Sequence, residues 1–363
     1  MKKTIKLFDP VVGLEEENAI RRVLKSNFWA SGAGVGNVSK FENMFQRYVK
    51  SDECIAVNSG SSALNLALSL INIKNKEVIL PSLTFISTAH AIIQNGGKPV
   101  FVDVNKNMCL DIDNLKKFIT KKTRVILPVH FAGFPCNLDS IQEICENHSL
   151  YLIEDAAHAA GSSYKNKKIG SHGFATCFSF HPVKNLAMPT GGLISLNSKN
   201  HKKYKEELFS KRWCGITNRK NYSYDVKTLG WNNYMNEFSA AIGIVQLKKL
   251  DKINNVRKKI AKKYSKELTC EIKMPFNDDC SYHIYWIMTK NRANFIKKLK
   301  ENGIETGIHY RPIHTMSMYK RKYKLPMTEK AGNHIVSIPV HPNLTDEDVE
   351  KIIKNINHHS KPL

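Results

Sequence analysis

Two ionisable residues offer chemistry first: Lys184, in Ser179-Phe180-His181-Pro182-Val183-Lys184-Asn185, and Asp155, directly after the apolar run Tyr151-Leu152-Ile153. Lysines belong on the surface, yet this one sits among aromatic, proline-constrained and apolar neighbours. Burial lowers an amine's pKa and makes it both a nucleophile and a proton carrier. An acid at a strand's end followed by such a lysine suggests a pyridoxal phosphate (PLP) site. Lys184 would form the Schiff base, and Asp155 would keep the pyridine nitrogen protonated so that the ring can act as an electron sink.

Three other stretches fit that chemistry. Asn58-Ser59-Gly60-Ser61-Ser62 lies between a short apolar strand and an apolar helix, where free amides and hydroxyls would bind a phosphate. The same serines could be a plain N-cap. Phe85, after the strand ending at Pro81, could stack on a cofactor ring or belong to the core. With Asp155 facing the cofactor, Glu154 would point the other way; Asp155 could instead cap an alanine-rich helix. His158 could touch the cofactor's phenolic oxygen or be a satisfied core histidine. Gly32-Ala33-Gly34-Val35-Gly36 does not join a strand to a helix and is discounted as a dinucleotide loop.

Apolar periodicity places helices over 15–24, 40–49, 63–71, 88–95 and 139–147. Strands fall at 54–57, 77–80, 99–103, 125–129, 151–153, 175–179 and 192–196. Strands alternating with helices indicate an α/β fold, and a ligand is expected at the carboxyl ends of the strands. The texture changes after Trp231, where small apolar residues run into a lysine-rich helix reaching about Leu268. The expected division is a large cofactor-binding domain over 1–247 and a smaller C-terminal α/β domain over 248–363.

The chain has 363 residues, enough for a large core and a second domain. No apolar run follows Met1-Lys2-Lys3, and the stretch from Val78 to Ile93 is too short and polar to span a bilayer. A cytoplasmic protein without membrane association is expected. The eight cysteines are scattered without paired spacing, so thiols are expected to be reduced and no metal site is expected. The net charge of +23 raises the possibility of nucleic-acid binding. The lysines, however, mostly fall on apparent helix faces, and neither a helix-turn-helix nor an arginine-rich arm is visible. A positive field would also draw in an anionic, diphosphate-bearing substrate.

Taken together, the motifs resemble the DegT-type sugar aminotransferases, PLP enzymes of fold type I. The resemblance runs from Phe8-Asp9-Pro10 to Ser337-Ile338-Pro339-Val340-His341-Pro342. It is most specific at Glu154-Asp155-Ala156-Ala157-His158, Phe178-Ser179-Phe180, Lys184-Asn185, Gly230-x-Asn232 and His309-Tyr310-x-Pro312-x-His314. It implies a large domain with a mixed, mostly parallel sheet flanked by helices. It implies Lys184 as the catalytic lysine, Asp155 at the pyridine nitrogen, Ser61, Ser62 and Ser179 at the phosphate, Phe85 on the ring and His158 near the phenolic oxygen. Asn232 would reach the cofactor phosphate of a neighbouring subunit, giving a homodimer with shared active sites. Ser31, His181, Arg212, His309, Tyr310 and His314 would face the substrate.

The sequence departs from the pattern at Tyr234, where Arg or Lys is usual, in the short loop from Lys184 to Gly191-Gly192, and at Ser61, where Thr is commoner. The implied reaction moves an amino group, from L-glutamate as expected donor, to the C3 or C4 keto group of a nucleotide-linked deoxysugar for surface-polysaccharide biosynthesis. A cyclitol ketone is the alternative acceptor. The contrasting reading is a basic regulatory or nucleic-acid-binding protein that kept the fold without catalysis, which predicts a broken cofactor site.

Overall fold

The computed structural model describes residues 4–320 and 323–363; Met1-Lys2-Lys3 lies outside them. The large sheet is built from β1 (Glu53–Val57), β2 (Glu77–Pro81), β3 (Lys98–Val102), β4 (Thr123–Ile126) and β5 (Tyr151–Asp155), then, beyond a short hairpin β6 (Ser163–Tyr164) and β7 (Lys167–Lys168), β8 (Ala175–Ser179) and β9 (Gly192–Leu196). Their spatial order is β1-β9-β8-β5-β4-β2-β3. Neighbours from β3 to β8 are parallel, while β9 runs antiparallel to both β8 and β1. The sheet is therefore mixed and mostly parallel, as expected.

Helices α1 (Leu14–Ser26) and α2 (Asn37–Val49) precede the sheet, and α3 (Gly60–Ser69), α4 (Ser87–Gln94), α5 (Ile112–Lys117), α6 (Leu138–Asn147) and α7 (His201–Arg212) connect or follow its strands. Strand side chains alternate between two cores, as a period of two requires. Cys54, Ala56 and Ile79 enter one cluster with α2 and α6, whereas Ile55, Val57, Val78 and Leu80 enter the other with α3 and α4. A sheet covered on both faces by helices needs continuous apolar strands, and β2 is buried at all five positions.

Beyond an exposed hairpin, β10 (Ile216–Lys220) with β11 (Ser223–Val226), the helix α8 (Glu237–Glu267) runs for 31 residues. Leu247 and Leu250 on α8 pack in the first sheet cluster, while Ile260, Ala261 and Tyr264 pack in a third cluster. That third cluster is formed around the antiparallel sheet β12 (Ile272–Lys273), β13 (Tyr285–Met288) and β14 (Ile335–Ile338), with α9 (Arg292–Glu301), α10 (Pro326–His334) and α11 (Asp346–His359) in the same C-terminal part. We propose that the two domains meet along α8, on which the expected boundary at Leu247 falls.

One expected helix bound moves, the capping alternative for Asp155 falls, and the discounted glycine run has another role. The helix expected over 63–71 begins at Gly60, because the Ser59 hydroxyl caps it by accepting from the Ser62 amide. Asp155 caps no helix: residues 156–162 form turns, and Asp155 ends its strand. Gly32 and Gly34 sit where a side chain would strike Trp213 and Arg212, so that glycine run is a close-packed loop. Seven of the eight cysteines are buried, Cys214 is exposed and all are free. Among the described residues no group could hold a metal ion, and no helix is long and apolar enough to cross a membrane.

Candidate active site

At the carboxyl ends of the parallel strands lies a cavity of about 340 Å³. Its walls bring together Ser61, Phe85, Asp155, His158, Ser179, His181, Lys184, His309 and Tyr310, nine of the residues singled out in the sequence. They come from the tips of β5 and β8, the start of α3, the entrance to α4, the lysine loop and the segment before Pro312. Closing the sheet is what draws these separate stretches to one place.

Asp155 is buried, and both carboxylate oxygens are held. Oδ2 accepts from the Thr88 hydroxyl at 2.8 Å and Oδ1 from the Ala157 amide at 3.1 Å. Burial raises its pKa above the usual aspartate value, and the Ala157 and Thr88 hydrogen bonds and the Lys184 charge offset part of that rise. Glu154, next along the strand, points to the opposite face, as alternation demands. Its Oε2 meets His130 Nε2 at 2.9 Å, while Oε1 accepts from the Gly173 amide and the Thr176 hydroxyl at 2.7 and 2.9 Å.

Burial brings the Lys184 amine down to about 8, with Asp155 pulling the other way. Among the described residues, no arginine and no other lysine lines the cavity. His158 Nδ1 accepts from the Ala132 amide at 3.2 Å, so the neutral ring carries its proton on Nε2, which faces the Tyr310 hydroxyl at 3.0 Å. Burial first, then the Lys184 and His309 charges, keep that imidazole well below its ordinary pKa. His309 is likewise lowered to about 4, mainly by burial.

The first amides of α3, at Gly60 and Ser61, have no carbonyl four residues back within the helix. They open beside the Ser61 hydroxyl, itself 2.7 Å from Ser87 Oγ, and beside Ser179. A side chain at Gly60 would come within 2.7 Å of Ser179 Cβ, so glycine lets the two phosphate-directed segments close on one another. Phe85 keeps 55% of its surface exposed although it lines a cavity, which leaves a ring face free for a planar ligand. Free amides and hydroxyls at one end, an aromatic face, and a buried carboxylate opposite a low-pKa amine are the donor set that pyridoxal phosphate needs. The residues present fit that group.

Five expected residues fall elsewhere. Ser62 and Asn232 line a second cavity with Asn58, Thr190 and Tyr234, which shares Ser59 and Thr190 with the first. Arg212, expected at the substrate, is fully buried: its guanidinium donates to Glu42 Oε1 at 2.6 Å and to the Ala56 carbonyl at 2.9 Å, and lies 4.0 Å over the Phe209 ring. His314 does not line the cavity either. It is buried, with Nδ1 2.7 Å from Ser82 Oγ and Nε2 3.6 Å from Glu329. Ser31 sits in the half-buried loop against Trp213, its hydroxyl accepting from the Ala33 amide. Glu42 and Ala56 hold one nitrogen of Arg212, and Ser82 and Glu329 flank the His314 ring, so both side chains are engaged within the protein.

The sequence reading did not single out Thr88 or His283 as site residues. Thr88 stands one turn after Phe85 on a motif already recognised, so its hydroxyl was within reach of inference. His283 comes from just before β13, 99 residues beyond the lysine whose Nζ it meets at 3.5 Å, and nothing local marks it.

A mixed sheet with an acid on β5 and a lysine in the loop after β8, facing each other in one cavity, defines a pyridoxal-phosphate-dependent transferase of fold type I. The chain matches the model of the DegT/DnrJ/EryC1/StrS aminotransferase family over residues 10–357, and it belongs to that family. Its cofactor is pyridoxal phosphate. It is 34% identical to the spore coat polysaccharide biosynthesis protein SpsC of Bacillus subtilis, over 96% of this chain and 95% of SpsC. PseC of Helicobacter pylori, an aminotransferase of pseudoaminic acid biosynthesis, superposes with a TM-score of 0.92 at 27% identity, covering 99% of both chains. Spr1654 of Streptococcus pneumoniae, a sugar aminotransferase by description, has been solved in a PLP form that matches with a TM-score of 0.91 at 26% identity over 98% of each chain.

Proposed function

We propose that this enzyme transfers an amino group from L-glutamate to the C3 or C4 keto group of a nucleotide-linked deoxysugar, in the biosynthesis of a surface polysaccharide. The observation that carries the reading is the single cavity in which Lys184, Asp155, Phe85, Ser61 and Ser179 converge. Family membership supplies the reaction class, and the sugar substrate is supported by relatives described as sugar or polysaccharide enzymes. The non-catalytic alternative predicts a broken site, whereas both the lysine and the acid line this one.

When bound, pyridoxal phosphate supplies an electron sink and a carrier for the amino group. The chain's own residues do the rest. Lys184 would hold the cofactor, and its free amine would take the proton from the donor's Cα and keep it for return. An amine near 8 suits that work at neutral pH, where an ordinary lysine would hold its proton too tightly. Asp155, fixed by Thr88 and Ala157, presents a carboxylate to a cationic ring nitrogen. Ser61, Ser179 and the first amides of α3 bind the phosphate. Phe85 covers a ring face and excludes water, with Tyr310 6.0 Å from it. His158, held by Ala132 and Tyr310, sits at the phenolic side. His181, His309 and Tyr310 line the substrate end.

Ser62, Asn232 and Tyr234 support a homodimer, because their cavity opens beside Ser59 and Thr190 of the cofactor cavity. A second subunit seated there would complete the site, with Asn232 reaching the partner's cofactor phosphate.

The test is a coupled reaction of PLP-loaded enzyme with L-glutamate and a panel of nucleotide-linked 3-keto and 4-keto sugars, read by mass spectrometry. A nucleotide aminosugar is the expected product. Amination of a cyclitol ketone alone would replace the sugar acceptor, and no amination of any ketone would refute the reading.

A further inference from the structure

The lysine's neighbour His283 has no place in the donor set just described, yet its surroundings give it one polar task. Its residue is 1% exposed, and Nε2 lies 3.5 Å from Lys184 Nζ. Nδ1 has no hydrogen-bond partner among the described residues. The ring is fixed on two sides: Phe8 stacks on it at 5.4 Å and 16°, and the His158 ring lies at 4.5 Å. Its backbone is fixed as well. The His283 amide donates to the Ala132 carbonyl at 3.0 Å, and its carbonyl accepts from Arg257 at 3.4 Å.

The lysine loop is bolted to this segment next door. Asn185 Nδ2 donates to the Ser281 carbonyl and to Asn254 Oδ1, both at 2.8 Å. A rotation of the loop would break those bonds, so the backbones that carry Lys184 and His283 are held side by side.

We propose that His283 is a positioning residue of this site: whenever the Lys184 amine is not joined to the cofactor, Nε2 accepts a hydrogen bond from it and so aims its remaining N–H bonds and lone pair at the substrate. This rests on the reading of Lys184 as the cofactor-bearing lysine. The protonation states agree with that direction. An ammonium donates and cannot accept, and burial followed by the Lys184 charge keeps the imidazole neutral, well below its ordinary pKa. His158, His309 and Arg257 add to that lowering, while Asp155 faces the lysine and favours its charged form. In the proton transfer the donor's Cα–H bond breaks, an Nζ–H bond forms, and the electron pair remains with the substrate–cofactor system. The imidazole keeps its own proton and orients the base throughout.

The test compares His283→Phe, which keeps the stacking on Phe8 but removes the acceptor, with His283→Gln, which restores one. Each is loaded with PLP and mixed with L-glutamate in single turnover across pH. The phenylalanine variant should keep the absorbance band of lysine-bound cofactor, lose roughly tenfold to a hundredfold in rate, and show its acidic limb at lower pH, since the ammonium loses a stabilising partner. The glutamine variant should recover most of the rate. Damage to packing alone would lower the rate without moving the limb. A phenylalanine variant within twofold of wild type, with an unmoved limb, would overturn the proposal. His283→Leu carries the same expectation should the phenylalanine variant not fold. A lysine-bound band that persists in Lys184→Ala would instead remove the Lys184 reading itself, and that result is distinct from any behaviour of the His283 variants.

Discussion

Replacing Arg212 by methionine separates a structural arginine from a substrate-binding one. In the wild type the guanidinium is enclosed by Glu42, the Ala56 carbonyl, Phe209 and the loop at Gly34. Methionine fills the aliphatic volume, so the change removes charge and hydrogen bonds more than packing. What remains is a Glu42 carboxylate with 8% of its side chain exposed, held by the Ala56 amide 2.8 Å away and by the more distant Lys205 charge. Removing one partner of a buried ion pair costs about 3–5 kcal/mol. That is a large share of a typical stability of about 5–15 kcal/mol, and corresponds to a melting midpoint lower by roughly 4–7 °C.

The loss should depend on pH. Burial already raises the Glu42 pKa above its unfolded value of 4.5, even with Arg212 pulling it down. Without the arginine it rises further. The folded state then binds the proton more tightly than the unfolded state, so stability falls as pH rises from the unfolded value through the raised folded one. Arg212→Met should therefore be more destabilised at pH 8 than at pH 5. The double variant Glu42→Leu/Arg212→Met should recover much of the loss, because neither charge is left alone. Thermal denaturation reports stability, and steady-state kinetics on the folded fraction report acceptor binding. An Arg212→Met enzyme melting within about 2 °C of wild type at pH 8, but with a tenfold higher acceptor KM, would refute the structural assignment.

Other expectations follow from the same geometry. Thr88→Val removes the 2.8 Å hydrogen bond to Asp155 while keeping the side chain's shape. Hydrogen bonds to charged groups contribute about 1.5–3 kcal/mol, so PLP affinity should fall at least tenfold in a fluorescence titration. In the cofactor-free protein, the Lys184 amine should become neutral as pH rises through about 8, so the rate of PLP capture should climb across that pH rather than near 10.5. Glu154 is fully buried; burial raises its pKa, but the His130 hydrogen bond and charge outweigh it and hold the carboxyl below its ordinary value. Its contribution should be present above pH 4.5 and lost as pH falls through the depressed value. Glu154→Ala should thus narrow the difference between melting at pH 7 and pH 4, and lower the midpoint at pH 7.

Much of this molecule was legible locally. The seven strands of the large sheet announce themselves by short apolar runs, whereas the polar two-residue strands β6 and β7 do not, and Asp155 and Lys184 stand out because their neighbours are wrong for surface charges. Ser61, Phe85 and Ser179 needed only the assumption that strand ends converge. Arg212 and His314 were misplaced because a charged or polar motif residue does not reveal whether its partner is a ligand or, as here, Glu42 and Ser82 at sequence separations of 170 and 232. His283 was invisible for a related reason. It comes beside the lysine through the tertiary fold, where Asn185 donates to the Ser281 carbonyl and holds that segment against the lysine loop. Polar pairs made by the tertiary fold leave little trace in local spacing.

The most direct measurement is the absorbance spectrum of the PLP-loaded protein before and after excess L-glutamate, for wild type and Lys184→Ala. The account predicts a lysine-bound cofactor band in the wild type that glutamate converts to the aminated form, and no such band in Lys184→Ala. A wild-type spectrum without that band, or a Lys184→Ala protein that shows it and cycles with glutamate, would contradict it.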